Sequence, residues 1–389
     1  MIYFDNGATT YPKPGRVIGA VNYAMKNCAN PGRSGHRLSI NSSEIIFECR
    51  QNAAKLFDID KVENVIFTNN CTTALNTVIK GILRKGDHVI ISSLEHNAVL
   101  RPVAALADSG VEYSVAEVVE GDNERTIDNF RSQIKSNTRM IICTHASNVF
   151  GVKLPVERIG ALCRIYGILF CVDAAQTAGV VPISLKESGI DFLCAAGHKG
   201  LYGPMGTGLL VINSDTTPDC LVRGGTGSFS YDIEQPEVLP DKYESGTLNV
   251  AGIAGLNEGI KFVMNRGTEK ISGYESRLIN RLYSGLESLD KIILYTNRPD
   301  ERYYAPVVSF NIEGMDSEEV AEILNSRYGI AVRSGLHCAP LAHQSYGTEN
   351  SGTVRAVVSV FNNTEQINYF VNSVNKIARL NSKKVAIKG

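Results

Sequence analysis

No stretch of the chain approaches the ~18 apolar residues that span a bilayer. The start, Met1-Ile-Tyr-Phe-Asp5, has neither a basic n-region nor an apolar signal core. These absences predict a cytoplasmic protein. An excess of one charge is also missing: the formal net charge is −1, so no global field favours nucleic acid or an anionic membrane. There is no low-complexity tract and no obvious repeat. The nine cysteines (Cys28, Cys49, Cys71, Cys143, Cys163, Cys171, Cys194, Cys220 and Cys338) form no CxxC pair, which argues against a thiolate-rich zinc site, and no metal is predicted. Most lie in apolar runs, as Cys143 does in Met140-Ile-Ile-Cys143, and read as small buried hydrophobes.

What is present is an ordinary globular composition. The 389 residues are 43% hydrophobic and 20% charged, enough for two or three domains, or for one large α/β domain with a smaller companion. Strand-like runs fall at 64–68, 88–92, 112–118, 139–144, 168–173, 192–195 and 208–212. Helical patterns such as 73–83 and 156–166 lie between several of them. Apolar strands alternating with amphipathic helices predict a mostly parallel sheet covered on both faces, with ligands at the carboxyl ends of its strands. Residues 214–250 read as irregular. A helical pattern runs over 251–289, followed by a strand (305–312), a helix (317–327), a strand (354–360) and a helix (365–380), which predicts a smaller α/β unit at the C-terminus.

Two apolar runs end in chemistry. One reads Phe170-Cys-Val-Asp173-Ala-Ala-Gln176, the other Asp191-Phe-Leu-Cys-Ala-Ala-Gly-His198-Lys199-Gly200. A carboxylate at one strand end and a lysine just past another suit pyridoxal phosphate, which needs a lysine amine for its Schiff base and a carboxylate on its ring nitrogen. Read alone, Lys199 would be one more solvated lysine; directly after an apolar run, between glycines, it is not. Asn69-Asn-Cys71-Thr72-Thr73 sits where a strand gives way to a helix, a place that offers N–H groups and a positive dipole end to an anion. Thr72 and Thr73 add hydroxyls there, the turn Gly246-Thr247-Leu-Asn249 is a second donor-rich element, and His198 is a third. Together they read as a phosphate cradle. His96, after the strand at 88–92, can stack on the ring and carry protons. Gln176 can hydrogen-bond the ring's phenolic oxygen.

The segment Ile330-Ala-Val-Arg333-Ser-Gly335-Leu-His337-Cys338-Ala-Pro340 is not a buried strand. Arg333 and His337 beside Cys338 would favour its thiolate, the nucleophilic form. Arg355, at the edge of the last strand, can grip an α-carboxylate with two parallel hydrogen bonds.

With these residues assembled, the chain resembles the class V aminotransferase group, and within it the cysteine desulfurases. The likeness runs almost end to end: Asp5-Asn-Gly-Ala-Thr-Thr10, Glu95-His96, Ser147-Asn148-Val-Phe-Gly151, Asp173-Ala-Ala-Gln176, Gly197-His198-Lys199, Glu244-Ser-Gly246-Thr247-Leu-Asn249 and Arg333-Ser-Gly-Leu-His-Cys338-Ala. The resemblance implies an α/β fold of the pyridoxal phosphate fold type I, with a mostly parallel seven-stranded sheet. It implies a large domain over 14–255, a small one from 1–13 and 256–389, and a homodimer. Lys199 would hold the cofactor and shuttle the α-proton, His96 would stack on the ring, and Asp173 and Gln176 would tune it. Thr72, Thr73 and His198 would bind phosphate, with Gly246 and Thr247 reaching over from the neighbouring subunit. Asn148, Arg355, Arg333 and Ala8 would lie on the substrate side. Cys338 would take sulfur from L-cysteine as a persulfide, leaving L-alanine, and pass it to an acceptor protein.

The 17 residues from Cys338 to Arg355 and the motif Arg-Ser-Gly-Leu-His-Cys-Ala match the short-loop type of that family. Leu336 stands where a histidine is usual, and Pro340 and His343 are further individual features. Selenocysteine lyase is the nearest rival on the same scaffold. Transamination, epimerisation or another C–S lysis are further alternatives, and an inactive scaffold would have no need of Lys199, Asp173, His96 and Arg355 together.

Overall fold

The computed structural model describes residues 1–32 and 34–388, with side chains to residue 381. After a two-residue strand β1 (Ile2–Tyr3), seven strands form the central sheet: β2 (Val65–Thr68), β3 (His88–Ser92), β4 (Glu112–Ala116), β5 (Thr138–Thr144), β6 (Leu169–Asp173), β7 (Phe192–Ala196) and β8 (Gly208–Ile212). Their order is β2-β8-β7-β6-β5-β3-β4. The run β7-β6-β5-β3-β4 is parallel. β8 is antiparallel to both its neighbours, β7 and β2, so six strands point one way. All seven strand-like runs of the sequence are strands. Side chains of β5 to β8 are almost all buried, as expected of a sheet with helices on both faces. Two apolar cores, one on each face, account for this: one gathers Phe130, Ile141, Phe170 and Leu193, the other Leu75, Val89, Ile142 and Phe192.

A second, smaller assembly uses β9 (Ile292–Leu294), β10 (Val307–Ile312), β11 (Ile330–Ala331) and β12 (Val354–Val357). β10 is the centre of an antiparallel sheet between β9 and β12. Its core packs Phe4 and Phe310 edge-on against Phe370, with ring centroids 5.0 and 5.9 Å apart. Phe4 comes from the other end of the chain; β1 pairs with β11, which brings the N-terminus here.

The structure differs from the sequence reading in three places. The helical stretch 251–289 is two helices, Val250–Arg266 and Thr268–Glu287. They break at Gly267, whose φ of +82° only glycine adopts freely. Helices Gly15–Asn27 and Arg37–Leu56 are absent from the sequence reading, and Ile18, Tyr23, Leu38, Ile40 and Phe47 are all exposed on them. The pairs β1 and β11 are too short to register as patterns. Among the described residues, no helix is long and apolar enough to cross a membrane.

One buried ion pair fixes the edge of the sheet next to the Gly246-Thr247-Leu-Asn249 turn. Arg50 and Glu244 meet through two hydrogen bonds of 2.9 and 2.8 Å, and Glu244 also accepts from the Phe67 N–H at 2.8 Å. The Glu244-Ser-Gly246-Thr247 loop is thereby tied to β2, just before the Thr72-Thr73 helix. Removing one member leaves a buried charge unpaired. Arg50→Met should therefore cost about 3–5 kcal/mol in urea unfolding; an unchanged midpoint would show that the pair does not hold this edge.

Candidate active site

The carboxyl edge of the parallel strands gathers the candidate residues from distant parts of the chain. Asp173 ends β6, Lys199 follows β7, His96 follows β3, and Asn148 follows β5. β2 runs in the same direction and leads into the helix Cys71–Ile82 with Thr72 and Thr73. The turn after β7 demands close approach: a Cβ on Gly197 would sit 2.2 Å from the Thr207 hydroxyl.

Asp173 is buried and its two oxygens differ. Oδ1 accepts from the Ala175 N–H at 2.9 Å and from the Cys71 thiol at 3.4 Å. Oδ2 accepts no hydrogen bond among the described residues, which leaves it for a partner in the site. Cys71 stays a donor because burial, then the Asp173 charge, pushes its thiol well above the usual range. Lys199 is shifted the other way. Burial first, then the Arg355 and Arg333 cations, lower its pKa against the opposing pull of Asp173. The shift favours a neutral amine, the form that serves as nucleophile and base. His96 caps the helix Asn97–Ala107 with Nδ1 accepting from the Ala98 N–H at 3.0 Å, so its neutral ring carries the proton on Nε2. Burial lowers its pKa too.

His198 Nδ1 is buried with no partner, and burial brings the ring's pKa down to about 4. At the cradle, Asn70 accepts from both the Thr73 N–H (2.8 Å) and the Thr73 hydroxyl (3.1 Å). The unengaged hydroxyl is therefore that of Thr72. Thr73 and Thr247 line one cavity of about 210 Å³ with Thr207 and Asn249, whereas Gly246 lines a different one with Arg50 and Phe47. Gln176 donates to the Gly7 carbonyl at 3.1 Å. Ala8 sits in the same turn, its N–H on the Asp5 carbonyl.

Arg355 is 1% exposed. It donates to Asn148 O at 2.7 Å and pairs with Asp5 at 3.0 Å, and its Nε is buried without a partner. Arg333 bridges backbone to backbone with Arg355 and has no carboxylate partner among the described residues. Cys338 is exposed on a tightly held segment. Its carbonyl accepts from the Asn97 N–H at 2.7 Å, and the His337 carbonyl accepts from Asn148 Nδ2 at 2.8 Å. His337 and Cys338 both adopt left-handed backbone, at φ +50° and +58°, a conformation that costs energy in non-glycine residues and clusters at functional sites. The expected charge on His337 is not there. Its ring is buried against His343, centroids 5.8 Å apart, and burial followed by Arg355 lowers its pKa so far that the ring is neutral. Arg333 is the one nearby cation from that motif. The sequence reading missed Cys71 and Asn97. Cys71 could have been found from its place next to Thr72; Asn97 acts through its backbone and carries no side-chain signal.

Comparison with known proteins identifies the family and the fold. Residues 2–370 match the family described as aminotransferase class-V. A probable cysteine desulfurase of Methanothermobacter thermautotrophicus is 34% identical, over 97% of this chain and 94% of that protein. One from Pyrococcus abyssi is also 34% identical with the same coverage. Among solved structures, the apo cysteine desulfurase of Thermococcus onnurineus NA1 superposes with a TM-score of 0.90 at 33% identity, covering 97% of this chain and 94% of that one. An Escherichia coli cysteine desulfurase shares the fold, with a TM-score of 0.86 at 24% identity over 97% of this chain and 94% of that one.

The exposure pattern makes a direct prediction. Brief alkylation of the native protein should label Cys338 well before Cys71, Cys171 and Cys194, which are buried and need local opening to react. Peptide mass mapping reads the order; early labelling of Cys71 would contradict its place against Asp173.

Proposed function

The chain belongs to the aminotransferase class-V family, and we propose that it is a pyridoxal phosphate-dependent cysteine desulfurase: it converts L-cysteine to L-alanine, holds the sulfur as a persulfide on Cys338 and passes it to an acceptor protein. One juxtaposition carries the reading. A half-buried lysine whose pKa is lowered (Lys199), a carboxylate with one oxygen held and one unengaged among the described residues (Asp173), and an exposed thiol (Cys338) anchored beside His96 surround one site.

The residues fit the cofactor. Asp173 Oδ2 suits a protonated ring nitrogen, and the His96 ring suits a stacking partner. The orphaned His198 Nδ1 and the Thr72 hydroxyl at a helix N-terminus suit a phosphate, with Thr73, Gly246 and Thr247 completing the cradle. Gln176 would hydrogen-bond the ring's phenolic oxygen. When bound, pyridoxal phosphate supplies an electron sink for charge developed at the substrate Cα.

Lys199, favoured as a neutral amine, takes the Cα proton and later returns one. Arg355 offers its unpartnered Nε, and with Asn148 and Arg333 it holds the substrate carboxylate; Ala8 closes that side. Cys338 as thiolate attacks the substrate Sγ. A sulfur–sulfur bond forms, the Cβ–Sγ bond breaks, and its electron pair leaves with the carbon fragment, which gains a proton and departs as L-alanine. An acceptor thiol then takes the outer sulfur. The 14–255 unit contributes Lys199 and Asp173, and the unit of 1–13 and 256–389 contributes Cys338 and Arg355, so the reaction runs at their junction.

The exposed apolar residues on helices Gly15–Asn27 and Arg37–Leu56 support a homodimer, in which Gly246 and Thr247 serve the neighbouring site. All nine cysteines are unpaired, which suits a reducing compartment such as the cytoplasm.

The test is release of sulfide and alanine from L-cysteine with and without a reductant, beside L-selenocysteine. Matched alanine and reductant-dependent sulfide are expected. Cys338→Ala should fall below about 1% of the parent on L-cysteine, because the nucleophile itself is gone, and Lys199→Ala should not turn over. Full activity of Cys338→Ala on L-cysteine would overturn the persulfide. Selenide from selenocysteine with negligible activity on cysteine would make the protein a selenocysteine lyase.

A further inference from the structure

The N-terminal segment 5–13 crosses the site and touches each of its halves. At one end Asp5 pairs with the Arg355 guanidinium at 3.0 Å. In the middle the Gly7 carbonyl receives Gln176 at 3.1 Å. At the far end the segment converges on two peptide carbonyls, those of His198 and Lys199. The His198 carbonyl accepts from Lys13 Nζ at 2.7 Å, the Thr9 hydroxyl at 3.0 Å and the Thr10 N–H at 3.1 Å. The Thr10 hydroxyl reaches the Lys199 carbonyl at 3.0 Å and itself accepts from Lys13 Nζ at 2.7 Å.

A carbonyl has two lone pairs. The Thr10 hydroxyl lies 3.3 Å from the His198 carbonyl as well, so four donors converge there, one of them a lysine, in a crowded and strongly polarised contact. Lys13 has no carboxylate partner among the described residues, although burial lowers its pKa to about 8. A half-buried ammonium without a counter-ion is costly. Its amine is instead satisfied by the backbone and hydroxyl that fix the peptide of Lys199. The Lys199 side chain makes no hydrogen bond among the described residues, so its aim depends on how firmly that peptide is held.

We propose that Lys13, acting with Thr10, is a positioning residue: it fixes the peptide on which Lys199 stands and so holds the Lys199 amine where it can join the cofactor's aldehyde. The proposal rests on the pyridoxal phosphate reading of this site. Lys13 touches neither cofactor nor substrate in this role. It acts through the backbone, and it sets how favourably the lysine–cofactor link forms rather than how well the phosphate is gripped.

Two probes separate these effects. Pyridoxal 5′-phosphate can join Lys199, whereas pyridoxine 5′-phosphate has the same ring and phosphate but no aldehyde. Equilibrium binding of each to cofactor-stripped protein, followed by absorbance or fluorescence, is compared for the parent, Lys13→Met, Lys13→Arg and Thr10→Val. Lys13→Met should weaken pyridoxal phosphate by at least about tenfold, the factor for loss of one charge-assisted hydrogen bond, and leave pyridoxine phosphate within about twofold. Lys13→Arg, which keeps a cationic donor, should recover most of the loss, and Thr10→Val should follow Lys13→Met in direction. Equal weakening of both probes would overturn the proposal and make Lys13 a support of the phosphate cradle or of the fold. So would no change in either. Failure of the parent to bind pyridoxal phosphate at all would instead overturn the functional reading beneath it.

Discussion

Everything in the site depends on how the half-buried Lys199 is held among charges. Its amine lies among two guanidiniums, Arg355 and Arg333, with Asp173 as the opposing charge. Burial penalises the ammonium and the two cations add to the penalty, so the balance moves toward the free amine. A lysine on an open surface could not do this, since exposed lysines keep their ordinary basicity. The parallel sheet makes the arrangement possible. Its carboxyl edge converts sequence separations of a hundred residues into contact distances, as in the Cys71–Asp173 bond, and the strand pairings beneath it are too well buried to slip.

The nucleophile is built on the opposite plan. Cys338 is exposed, yet its backbone is tied down by hydrogen bonds. The carbonyls of residues 337 and 338 are tied to Asn148, in the loop after β5, and to Asn97, the first residue of the helix after β3. Two successive left-handed residues hold the thiol outward. Gly352 leaves room for this. A Cβ there would come within 2.9 Å of the Gly335 backbone, so the segment is pressed against its neighbour with nothing to spare. A fixed backbone with an open side chain suits a sulfur that must meet a substrate inside the protein and an acceptor outside it.

The frame of the protein was legible because the signals were local. Apolar runs such as 139–144 and 168–173 are bounded by polar turns, and each became a strand. Motif residues such as Asp173, Lys199 and His96 arrive on one edge because each follows directly from such a run. What could not be read depends on contacts made far along the chain. The break at Gly267 is hidden because a single glycine inside a helical period costs only about 1 kcal/mol and does not interrupt the pattern. His337 reads as a cation beside the thiol, but packing against His343 and Arg355 makes it neutral. Lys13 carries no local signal, because its partner carbonyl lies 185 residues away.

The account stands or falls on which amine meets the cofactor. The most direct test is to incubate the protein with pyridoxal phosphate, reduce with borohydride and map the modified peptide by mass spectrometry. The account predicts one equivalent per chain, on Lys199. Modification at another lysine, or a substoichiometric scatter over surface lysines, would contradict it.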